Sequence, residues 1–265
     1  MTSAAKAVPP AGAAALVLAL GACEPAPHVA AGPAPEPPQA AYLAPPQPVR
    51  VLPAQGGTLI EGLGRPQARV RLARPDGSAV GATVEADGRW RAMLPAAAEV
   101  QLYSVSQDVD GRMVRAVGYL AIAPGGRAAV LRPGAGAWVV GASGRAPAIT
   151  AVDYDAGGAA IVSAVVGADQ PARLLLDGVD AGEARGDAAG RVSVTLPGPV
   201  RGASHVLNLQ TPAGATEAAF TVAAPRITAP PAAAERIEHG WRIDWTAPGG
   251  GVQSTVLLDP AGAAG

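Results

Sequence analysis

Apolar residues along this chain come in short alternating runs, each closed within a few positions by glycine, proline or an Asp-Gly pair. That punctuation limits the fold more than any other feature. In a helix interior glycine costs about 1 kcal/mol and proline about 3 kcal/mol relative to alanine, and 34 Gly and 27 Pro leave few windows free of both. Strict alternation instead suits strands that turn one face inward. Val70 and Leu72 alternate with Arg69 and Arg71, and further strands are expected over 100–105, 113–122 and 128–131. Asp76-Gly77 and Asp87-Gly88 read as turns, because glycine accepts the positive φ that tight hairpins need. Only 3% of residues are aromatic. Ala and Val dominate the apolar share, and Lys6 is the one lysine among many arginines. This is the texture of GC-rich coding, so composition says little about function.

The strand grammar repeats. Gly88-Arg89-Trp90-Arg91-Ala92-Met93-Leu94-Pro95 matches Gly190-Arg191-Val192-Ser193-Val194-Thr195-Leu196-Pro197 at identical spacing, and Ala68-Arg69-Val70 finds a counterpart in Ala172-Arg173-Leu174. Such self-similarity predicts two related units. Together with the turns at Asp76-Gly77 and Asp87-Gly88, these segments resemble the bacterial Ig-like repeats of surface and envelope proteins over residues 51 to 224. The resemblance implies an all-β fold of two small antiparallel Ig-like β-sandwich units, assigned here to 51–145 and 146–224. Val192 replaces Trp90 in the second unit, which implies a smaller core there. Ig-like repeats serve as spacers, adhesive modules or assembly parts, and the fold alone does not choose among them.

Ahead of these units, residues 1–22 read as a secretory signal. Lys6 and the amino terminus supply positive charge, and 11–20 form an uncharged apolar run. The run is too short for a permanent bilayer span. Leu20-Gly21-Ala22-Cys23 resembles the bacterial lipobox, and the single cysteine of the chain occupies its lipidated position. The resemblance implies lipidation at Cys23 and a membrane partner reached through several acyl chains, each adding about 0.8 kcal/mol per buried methylene. Glu24 follows where the familiar inner-membrane retention signal has aspartate, so the expected location is the cell envelope, anchored at the outer membrane. Residues 23–50 carry dense proline, from Pro25 to Pro48, and read as an extended tether.

The remaining tail, 225–265, is too short for a third sandwich. Trp241, Ile243 and Trp245 alternate with Arg242, Asp244 and Thr246, the chain turns at Pro248-Gly249-Gly250-Gly251, and Val252 to Leu258 returns. Two tryptophans on one face are costly to expose, so the hairpin is expected to dock on an open face or edge of the second unit, or on a partner.

Residues that could carry chemistry are sparse. His28, His205 and His239 have no partners at metal-ligand spacing, and no cysteine is left for a zinc site. Gly125-Gly126 and Gly249-Gly250-Gly251 lack the strand-to-helix setting of a phosphate loop. Asp108-Val109-Asp110-Gly111 and Asp153-Tyr154-Asp155 offer hard oxygens, but Tyr119 stands where an EF-hand would place its glutamate. The net charge of -1 gives no case for nucleic acid. The expectation is therefore a non-enzyme without catalytic residues, cofactor or metal. It would be a binding or spacer lipoprotein contacting an envelope protein or polysaccharide, or else an accessory subunit of an envelope secretion or polysaccharide-export assembly.

Overall fold

A computed structural model describes residues 42–141, 146–227 and 231–260. The leader, Cys23 and most of the proline-rich stretch lie outside the described residues. Residues from Tyr42 onward form one compact unit.

The first half contributes β1 (Gln47–Ala54), β2 (Gly57–Leu63), β3 (Arg69–Ala73), β4 (Ala79–Thr83), β5 (Arg89–Pro95), β6 (Gln101–Val109), β7 (Arg112–Ile122), β8 (Ala128–Leu131) and β9 (Trp138–Val139). β1 begins at Gln47, inside the stretch whose proline content suggests a tether, and pairs with β2 along its whole length. The sheet β1-β2-β5 packs on the sheet β4-β3-β6-β7-β8-β9. Between them lie Ile60, Val70, Leu72, Trp90, Leu94 and Tyr103. β5 shows why the sequence folds this way, since Trp90, Ala92 and Leu94 point inward while Arg89, Arg91 and Met93 face solvent.

The second half contributes β10 (Ala148–Asp155), β11 (Ala160–Val165), β12 (Pro171–Leu176), β13 (Val179–Arg185), β14 (Arg191–Thr195), β15 (Ser204–Thr211) and β16 (Gly214–Thr221). The tail adds β17 (Ala232–Ile237), β18 (Gly240–Thr246) and β19 (Val252–Leu258). The sheet β14-β11-β10-β19-β18-β17 packs on β13-β12-β15-β16 around Val152, Val162, Leu174, Leu207, Leu209 and Phe220. Setting aside the added strands, β1-β2-β5 over β4-β3-β6-β7 and β10-β11-β14 over β13-β12-β15-β16 share one strand order. The protein is all-β, built from two antiparallel Ig-like sandwiches.

Their likeness extends to individual hydrogen bonds. Gly64 N–H donates to Gly88 O and Val166 N–H to Gly190 O; Gln67 donates to Val84 O and Asp169 to Gly186 O; Glu85 donates to Arg89 O and Asp187 to Arg191 O. Gln67 and Asp169 share a left-handed backbone, with φ of 68° and 58°. One constant offset relates all these pairs, and it carries Val70 onto Ala172. The sequence match of Ala68 with Ala172 is thus two positions out of register, a slip that still preserves the inward face because the strand period is two.

The tail differs from a lone hairpin. β17, which carries Ala232, Ala233 and Ala234, pairs with β18 as a third strand. β19 pairs with β10, so the hairpin docks in cis on the edge of the second sandwich. Val256 and Leu258 join the second sandwich's core, while the opposite face of the hairpin turns toward the first sandwich. Ile243, Trp245 and Leu257 pack with Leu102, Ala121 and Leu131 in a third core, and Tyr119 meets Trp245 edge-on with ring centroids 6.2 Å apart. The four sheets therefore stack as four layers with three cores between them.

Candidate functional site

Three polar constellations stand out in this framework, and two lie at the junction between the sandwiches. In the first, Asp153 on β10 is buried beside the third core. The Ala137 N–H donates to its Oδ2 at 2.6 Å, and the Thr255 hydroxyl to its Oδ1 at 2.5 Å. Trp245 Nε1–H donates in turn to Thr255 Oγ1 at 3.1 Å. The indole can only donate, so Thr255 accepts from it, and when Asp153 is ionised the Thr255 hydroxyl donates onward to the carboxylate. Burial is the dominant influence and pushes the Asp153 carboxyl up to about 6, against the opposing pull of its two hydrogen bonds and of Arg132. This buried chain ties β10, β18 and β19 to the loop preceding β9.

Beside it, the indole of Trp138 is stacked between two cations. The Arg132 guanidinium carbon lies 3.7 Å from the ring centroid and that of Arg191 3.9 Å from it. Arg132 also donates to Gly136 O at 2.8 Å and Ala135 O at 2.6 Å. Burial, followed by the like charge of Arg191, lowers the Arg132 pKa. The ring's electron-rich faces let the two guanidiniums share one side chain. Arg127 adds a further link, donating to Leu258 O at 2.5 Å.

The third feature is a groove of about 680 Å³ on the outer face of the first sandwich's larger sheet. Its floor is formed by β3, β6 and β7, including Arg71, Ser106 and Arg115, and its far wall by Pro231, Thr246 and Pro248 of the tail. The docking of the tail thus creates the wall as well as the third core.

The positions that the sequence singled out are used structurally. Asp108 Oδ1 accepts from Gly111 N–H at 2.8 Å, and Asp110 takes the left-handed turn position with φ of 53°. Asp155 Oδ1 accepts from Gly157 and Ala159 at 2.8 and 3.0 Å. Asp153, which the sequence pairs with Asp155, is spent on the buried relay. Among the described residues no group of three His, Cys, Asp or Glu could hold a metal ion. His205 Nδ1 lies 2.8 Å from Asp177 Oδ2, and its ring tilts over Phe220 at 5.4 Å. The hydrogen bond from His205, then that from the Val206 N–H, holds Asp177 below the usual carboxylate range, so Nδ1 carries the donated proton. His205 Nε2 is buried and has no hydrogen-bond partner among the described residues. His239 approaches Glu238 at 3.7 Å on the surface. Cys23 and His28 lie outside the described residues.

Sequence reasoning passed over Arg71, Arg115, Arg132, Trp138 and Arg191. The alternation of Arg69 and Arg71 with Val70 and Leu72 marks outward arginines, but it does not reveal what stands beside them across the sheet.

Strand order and paired hydrogen bonds define the class as a tandem of Ig-like sandwiches. No family model and no curated protein matches the sequence. Among solved structures, the chain is similar to the BSP domain of a biofilm associated protein, at 12% identity and a TM-score of 0.24, covering 69% of this chain and 30% of that one. It is also similar to the central fibronectin-III array of RIM-binding protein, at 11% identity and a TM-score of 0.26, covering 76% of this chain and 71% of that one.

Proposed function

We propose that this chain is a cell-envelope lipoprotein, anchored at the outer membrane through acylated Cys23, whose fused sandwiches form a stiff, non-catalytic binding or spacer arm. The observation that carries the reading is the third core. Tandem domains joined by a linker move relative to one another by default. Here Trp245, Ile243 and Leu257 bury against Leu102 and Leu131, with an Asp153 relay and a doubly stacked Trp138 beside them. Such a junction transmits position instead of absorbing it, which is what an arm set off a membrane requires. The anchoring half rests on Leu20-Gly21-Ala22-Cys23 with its sole cysteine, and on the proline-rich stretch that follows.

Detergent-phase partitioning in the native bacterium tests the anchor. The wild-type protein is expected in the detergent phase and Cys23→Ser in the aqueous phase, with an unchanged melting temperature. A Cys23→Ser protein that has lost its leader and still enters detergent overturns the lipoprotein reading.

A further inference from the structure

We propose that the groove between the β3-β6-β7 face and the tail binds an anionic saccharide, with a uronate carboxylate seated over Ser106 between Arg71 and Arg115. Cross-strand register sets the geometry. Arg71 pairs with Ser106, and Ser106 pairs with Arg115, so the three stand in one row across the sheet. Two interstrand spacings put the arginine Cα atoms about 10 Å apart, and two long guanidinium side chains can converge on one carboxylate from that separation.

The electrostatics of the groove have one sign. Arg71, Arg74 and Arg115 line it and no Asp or Glu does, although the whole chain carries a net charge of -1. Arg74 reaches Asp76 only at 3.6 Å. Arg71 and Arg115 have neither an ion pair nor a side-chain hydrogen bond among the described residues, and the Ser106 and Tyr119 hydroxyls are likewise unpartnered. Elsewhere in the first sandwich Arg50, Arg89 and Arg91 each have a carboxylate partner, whereas Arg65, Arg69 and Arg112 have none among the described residues. Two forked donors flanking a hydroxyl match a carboxylate and its neighbouring hydroxyl groups.

The backbone argues against a peptide occupant. β3 is paired on both sides by β4 and β6, β6 by β3 and β7, and β7 by β6 and β8, so the floor has no open edge to which an extended peptide could add. Recognition there must run through side chains. Pro231, Pro248 and the Tyr119 ring supply the flat apolar surfaces on which the C–H faces of a sugar can rest. The volume lies within the usual range of ligand sites, about 300–1,000 Å³.

This inference rests on the binding-module reading but not on the anchor, so Cys23→Ser and groove variants fail independently. The test is calorimetric titration of the full chain with trigalacturonate, maltotriose, a hexaglutamate peptide and inorganic phosphate. Trigalacturonate is expected to bind, weakening as salt rises. Arg71→Gln and Arg115→Gln should each weaken it about tenfold, the loss expected for a charged hydrogen-bond partner. Arg112→Gln, on the same strand but outside the groove, should leave it unchanged. The glutamine changes are at exposed positions, and an unaltered melting temperature confirms that each variant is folded. Equal binding of maltotriose, tighter binding of the peptide or of phosphate, no binding of trigalacturonate, or indifference to both glutamine variants overturns the proposal.

Discussion

The two sandwiches share a strand order and fill the same core position differently. In the first, Trp90 on β5 faces Gly62 on β2, and a Cβ added at Gly62 would lie 2.1 Å from the Trp90 ring. The indole lies over the glycine and donates to Leu63 O at 3.0 Å. In the second, the equivalent pair is Val192 and Ala164. The two pairs differ in bulk, a tryptophan over no side chain against a valine over a methyl, yet Trp90, Val192 and Ala164 are all buried at this position. The sandwiches also differ in which sheet is enlarged. The first extends β7 with β8 and β9, and the second extends β10 with the tail. Because the enlarged sheets are the ones that meet, each supplies area that a seven-stranded unit lacks. A repeat can therefore keep its interior plan while its added strands decide what it packs against.

The strongest way to break this arrangement is at the third core. Ile243→Asp places an unpaired carboxylate among Leu102, Leu131 and Leu257 and should cost more than about 4 kcal/mol. Denaturant unfolding of the variant is expected to separate into two transitions where the wild type shows one. A single transition at the wild-type midpoint would mean that the sandwiches do not depend on each other.

Asp153 provides a pH handle on the same junction. Its folded-state pKa is raised from 3.8 to about 6, so folding favours the neutral carboxyl. The corresponding stability is complete below pH 3.8 and is lost as pH rises through 6, a fall of about 3 kcal/mol. Asp76, Asp177, Asp180 and Asp187 are shifted the opposite way, so their contributions vanish only below that window. Denaturation between pH 4 and pH 7 should show this fall in wild type and not in Asp153→Asn. Parallel profiles for the two proteins would remove Asp153 from the account.

The two core solutions can be exchanged. Gly62→Ala alone drives a methyl into the Trp90 ring and should cost about 1–3 kcal/mol, as overpacking does. Adding Trp90→Val to that variant reproduces the second sandwich's pair and should remove the part of the alanine penalty that comes from the ring in a double-mutant cycle, leaving the part that comes from Gln47 O, 2.6 Å from the added Cβ. An alanine penalty that is the same in both backgrounds would show that the pairs are not equivalent. The smallest effect expected is that of Trp138→Leu, which keeps apolar bulk but removes the ring between Arg132 and Arg191. It should cost about 1 kcal/mol, measured as a shift in denaturant midpoint.

Much of this fold follows from the sequence alone. Inward alternation at Val70 and Leu72, turns at Asp76-Gly77 and Asp87-Gly88, and the repeated Gly-Arg strand entry are local features, fixed by side-chain period and backbone sterics within a few residues. They suffice for strands, for turns and for two related units. The hairpin at Trp241 to Leu258 was visible for the same reason, but β17 was not, because Ala232-Ala233-Ala234 shows no alternation. What lay beyond the sequence depends on register and stacking between distant segments. Arg71 and Arg115 become neighbours only through β6, Trp138 meets Arg132 and Arg191 only where the two sandwiches join, and Trp245 finds Leu131 only after β19 has paired with β10. Alternation says which side chains leave a strand on the same face. Which surface that face meets is set by long-range pairing, and here that pairing built the third core and the wall of the groove.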